Sequence, residues 1–167
     1  MSSSTLAAPR QQQRRARFWL SAWLPVVMAV LLVAVESTPA FGADHTNGPL
    51  RKVWEWLFGA VSDPTWHIVH MLIRKSGHFT GFGFVGLTWL RAWRMTLPSA
   101  SFLRVAFLAM IGTALVASAD EYHQSFLPNR TSSPRDVLLD CIGALVAMGA
   151  VHLILKVRLQ GKLARTA

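Results

Sequence analysis

Apolar residues gather into four long runs, at about residues 18–35, 76–93, 102–119 and 137–157. At about 1.5 Å per residue, the shorter runs just cross a hydrocarbon core about 30 Å thick. Between the first two runs the pattern changes. Leu50, Val53, Trp54, Leu57, Phe58 and Val61 recur at helical spacing, with Arg51, Lys52 and Glu55 on the other side. Aromatic residues opposite charge predict a helix lying in the membrane interface. Asp63-Pro64 then reads as an N-cap followed by Pro at the first helical position, opening a helix that runs unbroken to about Arg94. Leu97-Pro98-Ser99 predicts a turn, and residues 120–135, with Pro128 and Pro134, an outer loop. The expected fold is all-α, an integral membrane bundle of four transmembrane helices with an amphipathic interfacial helix. Residues 1–17 predict a disordered basic tail, residues 18–157 the membrane domain, and residues 158–167 a second basic tail.

Composition sharpens this picture. The chain is 52% hydrophobic and 15% charged, against about 25% charged in an ordinary soluble domain. A formal charge of +9 on a soluble chain would point to nucleic acid. Here the excess sits at both ends and in one short loop, as positive-inside residues do, so no nucleic-acid partner is expected. With four spans, one side holds eleven basic residues: Arg10, Arg14, Arg15, Arg17, Arg91, Arg94, Arg104, Lys156, Arg158, Lys162 and Arg165. The other side holds six: Arg51, Lys52, Arg74, Lys75, Arg130 and Arg135. Both termini are therefore expected in the cytoplasm and the protein in an inner membrane. A rival reading takes the first run with Ala40-Phe41-Gly42 as a cleavable signal peptide, although the run is longer than a usual signal core. The lone Cys141 excludes an internal disulfide and reads as a buried packing residue.

The same topology gathers chemistry at one depth. Lys75 and His78 open the second span, Asp120, Glu121 and Gln124 close the third, Arg130 lies in the outer loop, and Asp136 and Asp140 open the fourth. Lys75 and His78 share a helix face, as do Asp120 with Gln124 and Asp136 with Asp140. Gly143, one turn further, would let helices approach closely, while Gly77 and Gly81 form a small-xxx-small pair. Ion pairing alone accounts for these residue types, because charges near hydrocarbon must be paired. A chemical reading also fits. Glu121, Asp140 and His78 are the candidate acid–base groups, since desolvation raises a carboxyl pKa and splits acid from base. Lys75, Gln124, Arg130, Asp120 and Asp136 are the candidate substrate-binding groups. Arg74 adds a phosphate contact, and Trp54, Trp56 and Trp66 form a rim. No metal or cofactor is expected: Asp120-x-x-His123 lacks the repeat of a carboxylate-bridged pair, and His67-x-x-His70 reads as two surface histidines. Asn129-Arg130-Thr131 matches a glycosylation acceptor.

Lys75-x-x-His78-Phe79 with Phe82, Gly83 and Gly86, then Asp120-Glu121-x-x-Gln124-x-Phe126-x-Pro128-x-Arg130 with Asp136, Asp140, Gly143 and Ala144, resembles the VanZ-like family. The match covers about residues 75–150 and reaches upstream to Glu36-Ser37. Asn129 stands where the family often has Gly, and Asp140 where it commonly has Asn. The resemblance implies a small bacterial polytopic membrane protein of the cell envelope, with a link to resistance to the glycopeptide teicoplanin. It leaves the activity open. The expected partners are the bilayer and an anionic lipid or lipid-linked cell-wall precursor, recognised at the outer face. The alternatives are an enzyme acting on such a precursor and, more weakly, a proton or solute carrier.

Overall fold

The computed structural model describes residues 7–127, 130 and 132–166. Those residues form five α-helices and no strand: α1 (Ala7–Glu36), α2 (Ala43–Phe58), α3 (Asp63–Thr96), α4 (Phe102–Gln124) and α5 (Pro134–Thr166). One 3-10 turn, Pro39–Phe41, joins α1 to α2. Residues 7–17, expected as a disordered tail, continue α1, and the basic C-terminal segment continues α5 to Thr166. Alanine, glutamine and arginine are strong helix formers, so an adjoining helix extends through such a segment at little cost. The Asn129-Arg130-Thr131 acceptor and the Pro128-Asn129 turn fall partly on residues outside those described.

Three helices are long and apolar enough to cross a membrane: Gln11–Glu36, Phe102–Gln124 and Pro134–Arg165. The run at 76–93, expected as a span, lies on α3 and is not among them. Its face is diluted by Gly77, Gly81, Gly83 and Gly86 and by His78, Thr80 and Thr88. Yet α3 is the centre of the bundle, packed against α1, α4 and α5 and touched by α2.

Two apolar clusters join the helices. Leu90, Val105, Ala109, Ala144 and Met148 pack toward the basic end, and Ala29, Phe82, Val85 and Ala117 toward the other. Small residues set the spacing between α3 and α5. A Cβ on Gly86 would stand 2.7 Å from the Ala144 Cβ, and one on Gly143 would be driven into the Phe79 carbonyl oxygen. The expected role of Gly143 thus holds, whereas Gly77 and Gly81 meet nothing within 4 Å and pack no helix. Large apolar residues are turned outward: Leu24, Val27 and Leu31 on α1, Phe107 and Leu115 on α4, Leu145 and Leu153 on α5. Such a surface is anomalous in water and ordinary in hydrocarbon.

At the basic end, Pro25 sits inside α1 and has no N–H to give the Ser21 carbonyl. Arg91 of α3 supplies the missing donor, Nη1 to the Ser21 oxygen at 2.6 Å. Trp23 packs edge-on against Trp89 and Trp93 beside this contact.

The amphipathic helix starts seven residues earlier than its hydrophobic pattern, at Ala43, and ends at Phe58 rather than Val61. Gly59 stops it, with φ of 88°, a conformation that favours glycine. Arg51 pins α2 to the start of α3. Its Nε donates to Glu55, Nη1 to Asp63 at 2.7 Å and Nη2 to the Val61 carbonyl. The N-cap of α3 is Ser62 and Asp63 is its first helical residue, one position earlier than expected.

Candidate functional site

The end of the bundle away from the arginine-rich termini carries nearly all the polar side chains that the helices bury. Parallel α3 and α5 place two helical repeats side by side. Lys75 Nζ donates to Asp136 Oδ1 at 2.7 Å, and one turn deeper His78 Nδ1 stands 3.4 Å from Asp140 Oδ1. Below them Gly143 lies against the Phe79 backbone. Lys75 is half exposed, so its pair contributes little. Asp140 is wholly buried, and neither of its carboxylate oxygens has a hydrogen bond among the described residues. The imidazole of His78 stacks on Phe82, which fixes its plane beside that carboxylate.

The last turn of α4 buries Asp120, Glu121 and Gln124 together. Gln124 Nε2 donates to Asp120 Oδ2 at 2.9 Å, leaving Asp120 Oδ1 buried without a partner. The Glu121 carboxylate accepts the Ser133 backbone N–H at 2.8 Å, and Ser132 donates to its carbonyl. Glu121 therefore fastens the start of α5.

Glu121 and Arg130 do not pair with each other. Arg130 Nη2 donates instead to the Glu36 and Thr38 carbonyls, both at 2.8 Å. The Glu36 carbonyl belongs to the last turn of α1, and the Thr38 carbonyl, which also accepts the Phe41 N–H at 3.2 Å, to the turn that follows. Arg74 reaches the Phe41 carbonyl of the same strap, and Ser37 Oγ bonds His123 Nδ1 at 2.9 Å. The strap between α1 and α2 is thus held by α3, by α4 and by the loop before α5. Burial, followed by the neighbouring Arg130 charge, holds the Arg74 guanidinium below the ordinary arginine range. Neither arginine is ion-paired with a carboxylate among the described residues.

The strap, α1, α2, α3 and the end of α4 line a cavity of about 570 Å³. Arg74, His78, Asp120, Gln124 and Arg130 line its polar part, and Ala29, Leu32, Val33, Phe82, Phe84 and Val85 its apolar part. Of the candidate residues, His78, Asp120, Gln124 and Arg130 therefore meet at one space. Asp140 stands behind His78, while Lys75, Asp136 and Glu121 lie outside the cavity wall. The contributions of α1 and of Thr46 were not foreseen, since nothing in an apolar run marks which of its faces borders a void.

The tryptophans and histidines of α2 and α3 divide by depth. Trp66 is buried and donates its indole N–H to Asn47, Trp54 packs between Trp66 and Phe58, and Trp56 is exposed. His67 is exposed, but His70, expected at the surface, is buried, stacked on Trp66 and bonded to Thr46 Oγ1 at 3.1 Å. Burial, then the charges of Arg74 and His67, lower its pKa. Cys141 is half buried.

An all-helical chain with membrane-length apolar helices and a polar cavity at one end is a polytopic membrane protein. It belongs to the VanZ/LLP1 family, whose model matches residues 14–155. No curated protein and no solved structure matches the chain. Glycopeptide resistance is associated with that family.

Proposed function

We propose that this protein is a four-span protein of the bacterial inner membrane that recognises an anionic lipid or lipid-linked cell-wall precursor at its outer face. The observation that carries the reading is the cavity with two guanidinium groups, Arg74 and Arg130, that have no carboxylate partner among the described residues, over apolar walls. Arginine forks suit phosphate and carboxylate oxygens, and a small ligand needs a few placed polar groups in an apolar pocket. α3 serves as the fourth span, with Gly83, Gly86 and Thr88 buried against its neighbours. Both termini then lie in the cytoplasm with most of the basic residues. The binding test uses vesicles of neutral lipid doped with anionic lipid. Wild type should enrich the anionic lipid, and Arg74→Gln with Arg130→Gln should not; equal uptake by both proteins would sink the reading. Reporter fusions check orientation: a C-terminal reporter active only in the periplasm would reverse it.

A second reading has its own observation. Asp140 is buried with both oxygens unpartnered, 3.4 Å from a histidine that faces the cavity. A carboxylate behind a histidine orients it for proton transfer. Here His78 acts on the bound head group, Asp140 positions it, and Glu121 keeps a structural role. Purified protein should release product from a lipid-linked precursor, and Asp140→Asn should bind without release. Binding by wild type with no turnover leaves only the recognition role.

A further inference from the structure

A cavity inside a bundle needs a way in, and its walls differ in what lies beyond them. Leu32 of α1 and Phe84 of α3 both line the cavity and are 54% and 57% exposed. In a membrane that exposure faces hydrocarbon, so the cavity wall between α1 and α3 continues into the bilayer. Its surface there is unusually bare. Gly77 and Gly81 line it, and a Cβ on either would meet nothing within 4 Å. These glycines differ from Gly83, Gly86 and Gly143, each of which has a neighbouring helix against it. Between them, the Thr80 hydroxyl is turned back to the Ser76 and Gly77 carbonyls at 2.8 and 3.2 Å, which hides its polarity. The result is a shallow apolar track leading outward from the two arginines.

The polar end defines a chemistry. Arg130 keeps its Nε buried and unpartnered, although Nη2 is engaged by carbonyls. Two neighbouring guanidinium groups with donors to spare favour a phosphate over a zwitterion or a cation. Asp120 Oδ1, buried on the same wall without a partner, needs a donor and would repel a second phosphate. A phosphate ester carrying a free hydroxyl satisfies both. The volume, about 570 Å³, suits a head group and the first carbons of a chain. The rest of the chain must lie outside.

We infer that the ligand is a hydroxyl-bearing lipid phosphate that enters sideways from the bilayer between α1 and α3. Its phosphate lies between Arg74 and Arg130, its hydroxyl donates to Asp120, and its chain crosses Gly77 and Gly81 and leaves past Leu32 and Phe84. This assignment rests on the head-group reading above and adds the route, the tail and the phosphate.

The test uses full-length protein in a neutral detergent with phosphatidylglycerol as the probe. Mass spectrometry counts the lipid retained after washing, and thermal melting confirms that each variant is folded. Gly77→Leu and Gly81→Leu fill the track from α3, and Leu32→Trp narrows it from α1. Gly149→Leu is the control, because its Cβ position is also open but lies away from the cavity. Wild type and Gly149→Leu should retain phosphatidylglycerol, and the track variants should lose at least tenfold while melting no lower than wild type. Glycerol phosphate, the head group without a chain, should fail to displace the lipid. Folded Gly77→Leu and Gly81→Leu proteins that retain lipid like wild type would overturn the lateral route and leave the head-group reading standing. Displacement by glycerol phosphate at lipid-like concentrations would do the same to the tail. If wild type prefers no anionic lipid over a neutral one, both readings fall together.

Discussion

Gly143→Ala adds one methyl group at a place where the structure has no room. The new Cβ would be driven into the carbonyl oxygen of Phe79 and would stand 2.9 Å from its carbonyl carbon and 3.1 Å from its Cα. These are backbone atoms in the middle of α3, so no side-chain rotation relieves the contact. Overpacking costs about 1–3 kcal/mol, and the upper end applies where only whole helices can move. Alanine recovers roughly 1 kcal/mol of helix propensity, leaving a net loss of about 2 kcal/mol. At about 2–4 °C per kcal/mol for a chain of this size, the melting temperature should fall by about 4–8 °C. Gly149→Ala is the matched comparison on the same helix. Its Cβ position is open, so it should melt at or slightly above wild type. Thermal unfolding of the full-length proteins in one detergent, side by side, makes the measurement. If Gly143→Ala melts as high as Gly149→Ala, α3 and α5 are not in backbone contact at this level. The alignment of His78 with Asp140, one turn away, would then lose its basis.

Three further outcomes follow from contacts elsewhere. Arg91→Met removes the donor to the Ser21 carbonyl and should cost about 1 kcal/mol, because the bond is charge-assisted but exposed. Pro25→Ala restores an internal N–H for that carbonyl, so in the double variant Arg91→Met should cost less; strict additivity in chemical unfolding would count against the cap. For His70, burial lowers the folded pKa, so its share of stability is complete above the ordinary histidine value of about 6.5 and is lost as pH falls below it. Protection of the α2 amides, with the intrinsic pH dependence of exchange divided out, should therefore fall between about pH 7.5 and 5.5, and His70→Phe should flatten that dependence; an unchanged slope in the variant would assign it to another group. Glu121→Gln and Arg130→Gln should be additive to within about 0.5 kcal/mol, since each side chain bonds backbone elsewhere, and a larger coupling would restore the direct pair.

The sequence made some of this site legible for a plain reason. Antiparallel helices bring their ends to a common depth, so polar groups at those ends converge whatever the details. Lys75 and His78 share one helix face and Asp136 and Asp140 another, as the spacings require, and the packing of α3 on α5 then decides which residue meets which. The bonds of Arg130 to the Glu36 and Thr38 carbonyls had no signal in the sequence, because every residue has a carbonyl and only the fold brings these two to the guanidinium. Gly77 and Gly81 were misread because a glycine pair looks the same whether it receives a helix or borders a void. α2 begins before its apolar pattern because Ala43 to Pro49 need only continue a helix, with Thr46 and Asn47 anchored to His70 and Trp66 on α3. The depth of His70 follows from that packing, which no local pattern records.

The central position of α3 bears on how the chain is built. α3 is the least apolar of the helices taken as spans, and its polar face holds Lys75 and His78. Their carboxylate partners, Asp136 and Asp140, both belong to α5, which leaves the ribosome after the other four helices. Until then Lys75 and His78 lack those two partners, and the Phe79 backbone has no Gly143 to close over it. With α3 as a membrane span, a nascent chain halted before residue 134 would hold an unfinished helix at the bilayer edge. The final hairpin is then the step that commits α3 to the membrane and seals the bundle around it.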